Sequence, residues 1–281
     1  HYAPAVTCTP YSGGGGNIAA NFGQRAFAYT APSGFSPICT ALLPTPTIAD
    51  GSAYFDTKLW TGNSSTNAIS GLGFSPDLVW IKNRAQADNH KLLDTVRGAT
   101  EELESNTTDA EVTNTDGLTA FNSDGFDLGA DVEYNTNTES YVAWTWDAGS
   151  STASNTDGSI TSQVRVNQTA GFSIMTLTFP TYSGTSSVGH GLNAAPHFWI
   201  MKDRDSADGW YTGHISLGAG KYLRLESTSA EQSSTTLWDN TLPSSSVIYN
   251  NGTAMSGAGD YLMLAWAPVA GYSAFGSYEG N

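Results

Sequence analysis

Basic residues are scarce in this chain: 11 Lys and Arg stand against 26 Asp and Glu, for a net charge of −15 over 281 residues. Binding to a phosphate backbone depends on cationic side chains that displace counterions, so a nucleic-acid partner is excluded. Charge of either sign is thin, at 13% of residues, which leaves little for the ion-paired surfaces of long helices. No run of 18 apolar residues occurs, so no membrane insertion by a helix is expected. The only two cysteines, Cys8 and Cys39, form neither a disulfide framework nor a Cys-x-x-Cys metal motif, and leave a bond between them open. His1 stands where Met would, with no basic-then-apolar leader after it, so the chain reads as a processed product or a piece of something longer.

Catalytic signatures are equally sparse. The five histidines are His1, His90, His190, His197 and His214, and none belongs to a His-Glu-x-x-His arrangement. With so many carboxylates, neighbours such as Asp124 and Asp127 or Glu101 and Glu104 arise by chance, and no pattern marks a glycosidase pair. The oxygen-rich stretch 124–131 lacks the ligand spacing and terminal glutamate of an EF-hand loop and reads as a turn. No catalytic residue, metal or cofactor is expected, and the chain reads as a non-enzyme.

What is abundant points to strands. There are 30 glycines, much Ser, Thr, Asn and Asp, and 39% hydrophobic residues, of which enough are aromatic to fill a core. Asn114-Thr115-Asp116-Gly117, Asn122-Ser123-Asp124-Gly125 and Asn155-Thr156-Asp157-Gly158 are turn clusters in which Asp-Gly suits a hairpin. The strongest signal is an internal repeat at an offset of 120 residues. It aligns Gly71-Leu72, Pro76, Lys82, Arg84 and Ala87-Asp88 with Gly191-Leu192, Pro196, Lys202, Arg204 and Ala207-Asp208, and Tyr141 and Trp146 with Tyr261 and Trp266. Over 71–146, 16 of 76 positions are identical without a gap, where unrelated segments would give about five, so a copied structural unit is the reading. Each copy carries a buried strand, 77–82 or 197–202, and a closing strand, 140–146 or 260–266; runs so continuously apolar belong mid-sheet. One short helix is expected, around Asp94 to Leu103.

The repeated positions Pro76, Lys82, Arg84 and Asp88, with Pro196, Lys202, Arg204 and Asp208, are assigned to architecture, the basic residues pairing with the acidic loop that follows them. The histidines do not recur: His190, His197 and His214 align with Ser70, Asp77 and Asp94. Trp80, Trp146, Trp199 and Trp266 lie in core strands. Trp60, Trp210, Tyr211 and Trp238 sit near loops and are the candidates for stacking on a glycan.

Two resemblances extend this reading. Asn21-Phe22-Gly23-Gln24-Arg25-Ala26-Phe27, Ala31-Pro32-Ser33-Gly34-Phe35 and Leu42-Leu43-Pro44 resemble the last strands of SPRY-type sandwiches, with Ala26 where proline is usual; some 45 residues are too few for such a sandwich by itself. Residues 54–281 resemble a family of duplicated, uncharacterised domains of marine bacteriophage virion proteins. The residues carrying that likeness are Thr61-Gly62-Asn63, the run Gly71 to Arg84, Asp94-Thr95-Val96-Arg97-Gly98-Ala99, Phe121 to Phe126, Tyr141-Val142-Ala143-Trp144 and Gly271 to Tyr278. The expected fold is all-β: two related β-sandwich units of jelly-roll or concanavalin-like type in tandem, at 54–150 and 151–281, after a SPRY-like strand remnant at 1–45 and a stiff linker at 46–53. The family resemblance implies a virion location and a role in a tail fibre or surface appendage. Its implied partners are copies of the chain in a homo-oligomer (a trimer would suit a fibre), other virion proteins and host surface glycans. The alternative is a polysaccharide-binding module or depolymerase acting on host or algal glycans.

Overall fold

A computed structural model describes residues 46–180, 184–251 and 258–278. The SPRY-like segment, with Cys8 and Cys39, lies outside the described residues. From Pro46 onward the chain forms one unit, built almost entirely of strands.

The first large sheet has the order β1 (Phe55–Thr61), β9 (Ser140–Trp146), β3 (Leu78–Asn83), β4 (Lys91–Asp94), β5 (Gly98–Glu104), β6 (Val112–Thr113). The second has β10 (Thr152–Asn155), β11 (Ser162–Asn167), β12 (Phe172–Phe179), β19 (Gly259–Trp266), β14 (Phe198–Asp203), β15 (Tyr211–His214), β16 (Lys221–Arg224), β17 (Gln232–Ser233). A small sheet of β2 (Asn67–Ile69), β8 (Gly125–Leu128) and β7 (Leu118–Asn122) accompanies the first, and the pair β13 (Thr185–Gly189) and β18 (Val247–Asn251) accompanies the second. From β1 and from β12 the two large sheets run through the same order of strands. The six register pairs of β3 with β9, from Leu78–Trp146 to Asn83–Tyr141, recur 120 residues on, from Phe198–Trp266 to Asp203–Tyr261.

Period-two alternation explains the layering, because successive side chains leave opposite faces of a strand. In β3 and β4, Val79, Ile81 and Leu93 enter a core under the small sheet, with Phe126, Leu128 and Tyr141. Leu78 and Leu92 enter a second core, and there they meet Phe172, Ile174, Ile200, Leu262 and Leu264 of the other large sheet. The opposite face of that sheet, with Met175, Leu177, Trp199, Met201 and Met263, packs under β13 and β18 in a third core. The unit from Pro46 onward is therefore a four-layer stack in which the two large sheets face one another across a shared core. The central strand β19 is covered on two faces, as its unbroken apolar run requires, whereas β9 leaves Trp144 exposed on one of its faces.

Residues 46–53, expected as a linker, lie against this unit. Ile48 is buried, Asp50 caps a short 3-10 turn at Gly51–Ala53, and Gly51 lies close beneath the Tyr272 ring. The helix expected at Asp94–Leu103 does not form; β4, a turn and β5 occupy the stretch. The Asp94 side chain accepts from the backbone N–H of Val96 and Arg97 and stabilises the turn instead of a helix start, and Gly98 follows at φ +121°. The helical turn that does form, α1 (Val132–Asn135), is capped by Asp131.

Candidate functional site

The repeated lysines hold loops. Lys82 Nζ donates to the carbonyls of Asn83, Gln86 and Asp88, and Lys202 Nζ to those of Asp203 and Ser206. Beside them, Asn83 Oδ1 accepts from the N–H of Ala85 and Gln86, and Asp203 Oδ1 from the N–H of Asp205 and Ser206. The same turn thus stands at both places, and the lysines meet its carbonyls where carboxylates were expected. Burial lowers the Lys202 pKa, against the pull of Asp203 and Asp208. Pro76 and Pro196 are both buried before their strands. Asp88 accepts from Asn83 Nδ2, and Asp208 from the Tyr211 hydroxyl, with Arg224 beside it.

The repeated arginines part company. Arg84 is exposed and forms no ion pair among the described residues. Arg204 makes a two-pronged contact with Glu111, which Arg97 engages from the other side at 2.7 Å. Glu111 thereby ties the first large sheet to the second. Burial opposes its charge, but hydrogen bonds from Arg204 and the charge of Arg97 outweigh it and hold the carboxyl below its ordinary range.

Three of the four candidate glycan-stacking residues are inside the protein. Trp210 is fully buried in the shared core and its Nε1 donates to the carbonyls of Glu104 and Thr107. Trp238 is buried against Trp199 with centroids 5.5 Å apart, and Tyr211 is buried with its hydroxyl on Asp208, which together with burial raises its pKa to about 12. Trp60, half-buried, stacks on Tyr141 at 5.4 Å and donates to the Tyr134 carbonyl. An enclosed ring cannot receive a sugar, so Trp210, Tyr211 and Trp238 are corrected to packing residues, while Trp60 has one face occupied by Tyr141.

One acidic cluster brings together Glu102, Glu104 and Glu133. A cation already sits among them: Lys91 Nζ lies 2.6 Å from Glu102, 2.6 Å from Glu104 and 2.5 Å from Glu133. Burial disfavours the ammonium, but the three carboxylates outweigh it and raise its pKa. Tyr134 and Asn114 donate to the remaining Glu102 oxygen, so the arrangement is a filled ion network. The chance pairs separate: Glu101 accepts from Thr113 while Glu104 joins Lys91, and Asp127 accepts from Asn122 while Asp124 accepts from Gly71.

Among the open features is an aromatic cleft of about 340 Å³ at one end of the shared core. From the first sheet come Phe55, Trp80 and Trp146, and from the second Phe172, Phe198 and Trp266. These are equivalent places: Phe55 and Leu78 flank Trp146 in register, as Phe172 and Phe198 flank Trp266. Trp146 meets Trp266 across the sheets at 6.2 Å, edge to face. Tyr272 and Phe275, after the last strand, form one wall, with Phe275 stacked on Phe198 at 6.2 Å. Trp80, Trp146 and Trp266, read from the sequence as core, therefore line a cleft, and only Trp199 of that group is wholly enclosed. The missed signal is position: Trp146 and Trp266 are the last residues of their strands. A polar cup of about 750 Å³ contains Asp147, Arg165, Asn167 and Gln168. It borders the cleft, because Asp147 follows Trp146 and Asn167 Oδ1 accepts from the N–H of Ala170, a cleft residue. Arg165 reaches Asp77 at 2.6 Å, and burial outweighs that pairing and raises the Asp77 pKa.

Fold and cleft together define an all-β, layered-sheet protein with an aromatic opening between its two largest sheets. The chain belongs to the family described as a Domain of unknown function (DUF7483), which matches residues 50–281. No curated protein and no solved structure matches it.

Proposed function

We propose that the chain is a non-catalytic structural module of a bacteriophage virion, placed in a tail fibre or similar surface appendage and acting in assembly and host attachment. The observation that carries the reading is where the repeated polar residues spend their bonds. Lys82 and Lys202 close equivalent loops, and Arg204 joins Glu111 across the two sheets. Copies kept for a reaction would keep a reacting group in both, whereas these keep loop geometry. The two large sheets are, on this reading, descendants of one duplicated unit, as their shared strand order and register support. The virion assignment rests on the family resemblance of residues 54–281.

Self-association follows from the sheet edges. Among the described residues, β1 is a seven-residue edge strand with Leu59 exposed, and β10 is the edge of the second sheet. An open edge offers unpaired backbone groups to a second chain, and symmetric assembly is one way to cover it. Antibodies against the chain, applied to purified particles under the electron microscope, are expected to decorate an appendage, and light scattering to give three times the chain mass. Label absent from particles but present in the soluble fraction of infected cells overturns the virion reading.

A further inference from the structure

We infer that the aromatic cleft and the polar cup beside it form a binding site for an uncharged amphiphile, its apolar part between the sheets and a hydroxylated head over the cup. The cleft volume of about 340 Å³ lies in the range of small-molecule pockets. Its lining is a set of rings with no charged residue, and Ser273 and Tyr272 are the residues there with hydroxyls. The Trp80 indole N–H is already given to Ser105 Oγ at 2.9 Å. A bare sugar in that space would lose water from several hydroxyls and regain few partners, which penalises it. An alkyl chain or aryl ring loses nothing of the kind and gains ring contacts on two sides.

The head is assigned by the cup. Asp147 accepts from the Gly149 N–H and from Asn167, and each carboxylate oxygen keeps room for another donor. Gln168 spends its amide N–H on the Gly191 carbonyl and leaves its oxygen as an acceptor. Acceptors in this number suit hydroxyl donors, and a net charge of −15 weighs against an anionic head. Tyr272, in the cleft wall, has its pKa raised by burial and by the nearby Asp147 carboxylate, which places the two compartments side by side. This inference is independent of the particle reading: either can fail without the other.

The test uses the full chain and N-phenyl-1-naphthylamine, a neutral probe that brightens when buried. Binding is expected, with displacement by octyl glucoside below its micellar concentration at about tenfold lower concentration than by 1-octanol, and none by maltoheptaose. Phe275→Asp, in the segment after the last strand, is expected to weaken probe binding about tenfold or more while circular dichroism stays unchanged. Phe275→Leu, which keeps the wall apolar, is expected to bind as the parent does and separates charge from misfolding. Each of four results overturns the inference: no probe binding, equal potency of 1-octanol and octyl glucoside, displacement by maltoheptaose, or probe fluorescence that falls as the chain self-associates and is restored in a monomeric Phe275→Asp variant. The last would make a second copy of the chain the occupant.

Discussion

Acidification is expected to destabilise this protein through one histidine. His190 follows β13, is fully buried, and is held by both ring nitrogens. Nδ1 accepts from the Leu192 N–H at 3.2 Å, so the proton of the neutral ring sits on Nε2, facing the Ser244 carbonyl at 3.3 Å. A second proton would have to go onto Nδ1, against an N–H that already points there. Burial lowers the pKa from 6.5 to about 4, and the Ser244 carbonyl and Asp157 recover only part of the loss. The folded state therefore binds its proton at lower pH than the unfolded chain does. The stability contributed by the neutral His190 is complete above about pH 6.5, falls as pH drops through the window from 6.5 to 4, and is fully lost below it. The whole effect is about 3 kcal/mol, of which about 2 kcal/mol is gone by about pH 5. All eight tryptophans lie between Trp60 and Trp266, so intrinsic fluorescence during urea unfolding reports on this unit. Measured at about pH 7.5 and about pH 5, the parent should lose about 2 kcal/mol more than His190→Asn, whose amide oxygen can still accept from Leu192. Carboxylates that also titrate cancel in the difference. Equal losses in the two proteins would refute a buried neutral imidazole.

Three further outcomes follow from the contacts. Glu111→Gln removes the charge shared by Arg97 and Arg204 and is expected to cost about 2–4 kcal/mol in urea unfolding, with Arg204→Ala adding less on top than it costs in the parent. Because the Glu111 pKa is lowered, that contribution is present above about pH 4.5 and fades as pH falls through the lower folded value, so the parent and Glu111→Gln should converge in acid. Lys91→Met leaves Glu102, Glu104 and Glu133 facing each other without a cation and is expected to cost about 3–5 kcal/mol, partly restored when Glu102→Gln is added. Gly213→Ala would place a methyl group 2.0 Å from the Trp199 indole, which fills the space over that backbone, and a loss of about 3 kcal/mol or more in thermal unfolding is expected.

Most of the fold was legible because sheets buried on two faces write themselves into sequence as unbroken apolar runs. The strand expected at 140–146 is β9, and those expected at 77–82 and 197–202 lie within one residue of β3 and β14. The cluster 122–125 does form a turn between β7 and β8, but its two central residues are Ser123-Asp124, and Gly125 opens β8 without the positive φ expected of Asp-Gly. The stretch at Asp94 failed because a side-chain oxygen able to cap a helix can equally close a turn, and only the pairing of Lys91 with Glu104 decides between them. The glycan candidates failed for a different reason. Trp210 sits beside Gly209 and Asp208 and looks like a loop residue, yet its environment is made by Glu104 and Thr107, more than a hundred residues away. Burial of that kind is tertiary and leaves no local mark.

The two ends of the shared core are both bridged by polar contacts, but only one also holds an aromatic opening, and that difference separates stability from binding. At the end of β14 near Asp203, Arg204 and Trp210 reach across to Glu111, Glu104 and Thr107 with charged and neutral hydrogen bonds. Such contacts have fixed geometry and shut out water, so that end is locked. At the opposite end, near Phe198, rings line the opening, with centroids 5.0 Å apart for Phe172 and Trp266 and 6.2 Å for Trp146 and Trp266, while the Arg165–Asp77 ion pair and the Asn167–Asp147 hydrogen bond bridge the sheets beside it. The rings there meet at angles from 12° to 68° and bound the cleft of about 340 Å³. Changes at Glu111 or Trp210 should therefore act on unfolding and leave probe binding alone, while changes at Phe275 should do the reverse. A protein in which both sets of changes moved both quantities together would have one cooperative core and no separate site.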